Sequence, residues 1–131
     1  MNIYNDNYET CSETYVTLRI YIDTKNTDEL TEYLGVEPSE TFAKSGENKF
    51  NSWFLSSEGK VNSKDSRRHI DYLADKLLPI EPKIKALLKE GVKMDISCYW
   101  LSENGQGGPT LSPQQLTNLA NLGIELWFDI Y

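Results

Sequence analysis

The sequence predicts an α+β two-layer sandwich, with elements in the order β-α-β-β-α-β-α-β and a ferredoxin-like core carrying a mostly antiparallel or mixed sheet. Three observations predict it. Two segments, 15–22 and 92–101, alternate apolar and polar residues with the period of a half-buried strand. Other segments carry apolar residues at helical spacing, with capping residues before them and glycine after them. Two strand patterns also stand in a row between the first and second helical regions, so the first six elements match a split β-α-β unit.

Residues 1–13 are polar and without period, which marks a loose arm ahead of a single domain over 14–131. In the first strand Val16, Leu18, Ile20 and Ile22 share one face, and Tyr15, Thr17, Arg19 and Tyr21 the other. Asn26 and Glu29 form a capping box for a helix whose stripe is Leu30, Tyr33 and Leu34, and Gly35 ends it. Strands over 40–44 and 50–56 follow, the latter with Trp53 and Leu55 on one side. A polar loop spans 57–64. Asp65 or Ser66 starts the next helix, with Ile70, Leu73, Leu77 and Leu78 at helical spacing. Pro79 and Pro82 split that region into two helices, because proline fits a first turn and not an interior. The second carries Ile84, Leu87 and Leu88 and stops at Gly91. In the strand over 92–101, Val92, Met94, Ile96, Cys98 and Trp100 point one way and Lys93, Asp95, Ser97 and Tyr99 the other. Ser112, Pro113 and Gln115 open a last helix with Leu116, Leu119, Ala120 and Leu122 as its stripe. Gly123 stops it, and 125–131 is the final strand.

Leu30-Thr31 with Leu34-Gly35-Val36-Glu37 echoes Leu116-Thr117 with Leu122-Gly123-Ile124-Glu125. Two β-α-β units would read this way, and so would two capped helices that are alike by chance.

Composition narrows the function classes. The chain has 131 residues, enough for one core, and is 39% hydrophobic, which excludes wholesale disorder. Its net charge of −7 repels phosphate backbones, so nucleic acid is not an expected partner, while a basic protein is. No apolar run approaches the ~20 residues of a membrane helix, and the N-terminus lacks a signal-peptide pattern, so the expected address is the cytoplasm without membrane contact. Cys11, Cys98 and the single His69 show no metal-ligand spacing, so neither metal nor cofactor is expected. Cys98 reads as a small core residue, and His69, Arg67, Arg68, Lys83, Lys85 and Lys89 as solvated helix residues.

The most unusual stretch is Ser102-Glu103-Asn104-Gly105-Gln106-Gly107-Gly108-Pro109-Thr110-Leu111-Ser112-Pro113. Together with the strand 15–22, Leu34-Gly35-Val36-Glu37-Pro38, Trp53-Phe54-Leu55-Ser56-Ser57 and the ending Phe128-Asp129-Ile130-Tyr131, it resembles the bacterial DUF4279 family from Tyr15 to Tyr131. The resemblance implies a fold and boundaries. It brings no activity, catalytic residue or cofactor.

Two sets of residues are candidates for function. The first is the glycine stretch. Glycine N–H groups before a helix can hold an anion. The spacing matches neither the dinucleotide fingerprint nor the P-loop, and a strand-to-helix crossover that needs positive φ explains the same glycines. Ser102, Glu103, Asn104, Gly105, Gln106, Gly107 and Gly108 are the candidates for a small polar ligand or for catalysis. A general acid–base pair would need a second carboxylate near Glu103. The second set is the sheet face with Tyr15, Arg19, Tyr21, Asp95, Tyr99, Glu125, Trp127, Asp129 and Tyr131. Aromatic residues mixed with charge have the composition of protein interfaces. Alternatively, the N-terminal arm or the helix over 79–91 covers this face. The expected function is a non-enzymatic module that binds a protein, with self-association as an alternative. An immunity-type inhibitor of a basic toxin is an analogy of type.

Overall fold

Alternation and capping place nearly every element of the chain, whose computed structural model describes residues 4–131. The strands are β1 (Cys11–Ile22), β2 (Glu40–Phe42), β3 (Asn51–Ser56), β4 (Lys93–Ser102) and β5 (Leu126–Ile130). The helices are α1 (Thr27–Leu34), α2 (Ser66–Leu77), α3 (Glu81–Lys89) and α4 (Pro113–Leu122), with a 3-10 turn (Leu78–Ile80) at Pro79 between α2 and α3 and Pro82 in the first turn of α3.

The sheet runs β2-β3-β1-β4-β5. The first four strands are antiparallel neighbours in ferredoxin-like order, and β5 adds in parallel beside β4. The fold is therefore the α+β two-layer sandwich with a mixed sheet. Both echoing helices lie in β-α-β crossovers. The first is split, because β3 sits between β1 and β2, and the second returns directly from β4 to β5. Each has its capping box and a left-handed glycine, Gly35 or Gly123, at its end.

The helices cover one face of the sheet. Val16, Leu18, Ile20, Ile22, Trp53, Leu55, Ile96 and Cys98 meet Leu30, Leu34, Ile70, Leu73, Leu77, Ile84, Leu87, Leu119 and Leu122 there. Burial of such side chains contributes about 1.5–3 kcal/mol each before entropy is subtracted.

Four expectations need correction. The first strand begins at Cys11, inside the expected arm, and Cys11 is buried. A bulge between Cys11 and Glu13 shifts the register, so Cys11 and Thr14 both face inward despite their opposite parity. His69 is a core residue, 1% exposed, because its helical spacing from Leu73 places it on the inward face of α2. The Arg67 side chain is only 20% exposed, held by the buried Asp65. On α4 the inward stripe is Gln115, Leu119 and Leu122, which leaves Leu116 and Ala120 outside.

Candidate functional site

Among the described residues, no further layer covers the second sheet face. The described N-terminal residues and α3 both pack elsewhere: Tyr4 bonds to α2, Tyr8 to the glycine stretch, and α3 sits in the helix layer. The pairing of β1 with β4 sets Arg19 opposite Asp95 and Tyr15 opposite Tyr99. Arg19 makes a two-pronged ion pair with Asp95, both contacts 2.8 Å, which raises the guanidinium pKa above its ordinary value. Its Cζ atom lies 5.1 Å from the Trp127 ring centroid and 5.9 Å from that of Tyr21. Tyr15 and Tyr99 stack at 4.8 Å, and Tyr131 follows at 5.6 Å from Tyr99.

Tyr15, Arg19, Tyr21, Asp95, Tyr99, Trp127, Asp129 and Tyr131 are thus one continuous surface. Two aromatic residues extend it at the other end: Phe54 packs edge-on to Tyr21, and Phe42 to Phe54. Phe54 stands on the side of β3 opposite the inward Trp53 and Leu55, and Phe42 on a strand of three residues, too short for alternation to mark its face.

A groove of about 430 Å³ lies on this face. Thr17, Ser56 and Ser97 line it between the Tyr15–Tyr99 stack and Phe54, and Glu40, Glu58 and Asp129 stand around it. Arg19 also lines it, but its charge is matched by Asp95. Burial raises the Tyr15 phenol pKa, and the neighbouring Glu58 carboxylate adds to it. The surroundings thus suit positive charge and aromatic contact.

The glycine stretch has a different geometry. Gly105 and Gly107 have φ of 82° and 86°, as the crossover requires. Gly107 carries a further constraint, because a Cβ there would lie 2.6 Å from Thr10 Cβ. Thr10 carbonyl accepts from Glu103 N–H, and the Tyr8 hydroxyl donates to Gly108 carbonyl at 2.7 Å. The stretch is where the N-terminal segment docks. Its polar groups also satisfy one another: Ser102 hydroxyl donates to Gln106 carbonyl, and Asn104 Oδ1 accepts from Gln106 N–H. Glu103, Asn104 and Gln106 are exposed, and neither Asp95 nor Asp129, which lie on the open sheet face, is bonded to Glu103.

A polar cluster lies under the helix layer. His69 Nε2 sits 2.8 Å from Ser63 carbonyl, an acceptor, so Nε2 carries the hydrogen and Nδ1 accepts from Ser57 hydroxyl at 2.6 Å. Burial holds the His69 pKa below its ordinary value. The pair has the nucleophile–base arrangement of a hydrolase, but Ser57 is wholly buried and its oxygen also accepts from Val16 N–H. The geometry is that of a core brace between β1, the 57–64 loop and α2. Beside it, Asp71 accepts from Tyr4 hydroxyl and from Gln115 Nε2, joining the N-terminal segment, α2 and α4. The spacing of His69 and Gln115 along their helices was the available signal for both.

Among the described residues no group of three or more histidine, cysteine or carboxylate side chains could hold a metal ion, and no helix is long and apolar enough to cross a membrane. No curated protein and no solved structure matches the chain. The signature of one family, the domain of unknown function DUF4279, matches residues 12–131, from the bulge in β1 through β5 to the last residue. The chain therefore belongs to the DUF4279 family.

Proposed function

We propose that this protein is a non-enzymatic binding module whose open sheet face takes a basic segment of another protein. The observation that carries the reading is the groove between the Tyr15–Tyr99 stack and Phe54, with Glu40, Glu58 and Asp129 around it. A lysine or arginine side chain entering there gains aromatic contact and carboxylate partners together. The chain's net charge of −7 would speed the encounter. An immunity-type inhibitor of a basic toxin is the specific form this reading favours. The two buried free thiols suit a reducing compartment such as the cytoplasm.

The test uses two synthetic peptides of equal length, one alternating Lys and Gly and one alternating Glu and Gly. Calorimetric titration is run at about 0.05 M and about 0.5 M NaCl. Binding of the basic peptide alone, weakened by salt and by Tyr99→Ala, is the expected result. Equal binding of both peptides, or none at either salt, would reject the reading.

A further inference from the structure

Among the described residues, five of the six exposed large apolar side chains lie on α4 and β5 or just after β5: Leu116, Trp127, Phe128, Ile130 and Tyr131. β5 is also an edge of the sheet. An edge strand offers unpaired N–H and C=O groups, and proteins usually blunt it with short length, proline or inward charge. The opposite edge, β2, is only three residues long and carries Glu40. β5 has five residues, no proline and one charge, Asp129, which lies on the open face.

The direction of the free groups follows from the ladder. Glu125 carbonyl accepts from Ile96 N–H, Tyr131 carbonyl accepts from Ser102 N–H, and Tyr131 N–H donates to Trp100 carbonyl. Odd-numbered residues of this strand therefore bond inward to β4. Leu126, Phe128 and Ile130 turn their N–H and C=O outward, along the free edge. Their side chains lie on the helix side, where Leu126 and Phe128 join Pro109, Leu111, Leu116 and Leu119 around an apolar groove of about 400 Å³.

We infer that this edge pairs with the same edge of a second copy, β5 antiparallel to β5 about a two-fold axis at Phe128. That register sets apolar residues opposite one another on the helix side of the sheet. Phe128 meets Phe128 of the second copy, and each Leu126 meets the other's Ile130 at the mouth of the groove. These are the residues whose backbone groups point outward, so each pair exchanges two hydrogen bonds. Asp129 falls opposite Trp127 of the second copy. The single charge of each strand thus avoids its own equivalent, which matters for a chain of net charge −7. The contact is isologous and closes at two copies. The product is one ten-stranded sheet with both open aromatic faces on the same side.

Sedimentation velocity across a wide concentration range tests the idea on the full chain. A concentration-dependent dimer is expected, and Phe128→Lys should weaken it by about tenfold or more, since it sets like charges directly opposite. Phe128 is 45% exposed, so the variant should keep its circular dichroism spectrum. Cross-linking reads the register separately. Phe128→Cys should form an intermolecular disulfide under mild oxidation, because the paired Cα atoms would be about 5.5 Å apart. Ile130→Cys should not, and the native thiols are buried. A monomer at every concentration overturns the inference. So does a dimer unaffected by Phe128→Lys, equally fast cross-linking of the two cysteine variants, or an edge that binds only extended peptides of other sequence.

Discussion

Ser57 hydroxyl donates to Nδ1 of His69 across 2.6 Å, and both side chains are buried. The bond ties the end of β3 to α2, while Nε2 holds the loop at Ser63. Protonating His69 would turn Nδ1 from an acceptor into a donor, so the serine bond would have to rearrange inside the core. The folded state therefore favours the neutral ring, consistent with the lowered pKa. Below about pH 6.5 the unfolded chain takes up a proton that the folded chain resists. Stability is complete above that pH and falls as pH drops toward the folded-state value. His69 is the only histidine, so urea denaturation between about pH 5.5 and 6.5 should show this slope in the wild type and not in His69→Ala. The variant should also lose about 2–4 kcal/mol at neutral pH through the cavity and the orphaned serine. A slope that persists in the variant would rule the account out.

Gly107 and Gly105 separate two reasons for glycine. Both need positive φ, which costs an alanine about 1–2 kcal/mol. Only Gly107 is also pressed by a neighbour, Thr10. Gly105→Ala should cost about that backbone amount, and Gly107→Ala about 1–3 kcal/mol more from overpacking. Thr10→Gly should bring the two penalties together in a double-mutant cycle read by thermal melting. Equal costs in the wild-type background would mean that the docked N-terminal segment gives way freely.

Signals that lie close together in the chain are legible in the sequence, and those that depend on distant packing are not. Alternation and capping placed the sheet, α1, α4 and both sheet faces, because those signals lie within a few residues of one another. Tyr15, Arg19, Tyr99 and Trp127 reached a common face through strand parity alone. The purpose of Gly107 was hidden, because Thr10 lies nearly a hundred residues away in the chain. The bulge near Ser12 breaks parity, so the start of β1 looked like a polar leader. Gln115 was legible as a cap on Ser112, and it does accept from that N–H. Its other function, donating to Asp71, depends on how α2 and α4 pack, which neither helix encodes locally.

Trp53 and Trp100 are equally buried but differ in one bond. Trp53 Nε1 donates to Thr31 hydroxyl at 2.9 Å, whereas the buried Nε1 of Trp100 has no partner among the described residues. Replacing each by phenylalanine removes similar volume. Trp53→Phe also removes a hydrogen bond, and Trp100→Phe removes an unpaired donor. Trp53→Phe should therefore be the more destabilising by about 1 kcal/mol or more in chemical denaturation. Thr31→Val should approach it, because it strands the Trp53 donor. The opposite ranking would show that packing outweighs the polar contribution.

The buried carboxylate of Asp65 links the start of α2 to the N-terminal segment. It caps α2 by accepting from Arg67 N–H, accepts from Asn5 N–H in the N-terminal segment, and pairs with the Arg67 side chain at 2.7 Å. Arg67 in turn donates to Ser112 Oγ at the start of α4. Burial opposes ionisation of Asp65, but the Arg67 bonds and the backbone amides outweigh it and hold its pKa below the ordinary carboxylate value. Its contribution is therefore present above about pH 4 and lost as pH falls further, a window separate from that of His69. Asp65→Ala should cost about 3–5 kcal/mol, since it strands a half-buried guanidinium and removes a cap. Asp65→Ala with Arg67→Met should recover much of the ion-pair part and none of the cap. Both variants lose the anchor at Asn5, so limited proteolysis should cut within residues 4–10 faster than in the wild type while the rest of the domain stays intact. A single variant as stable as the double would mean that Arg67 finds water instead, and the ion pair would then count for no more than a surface one.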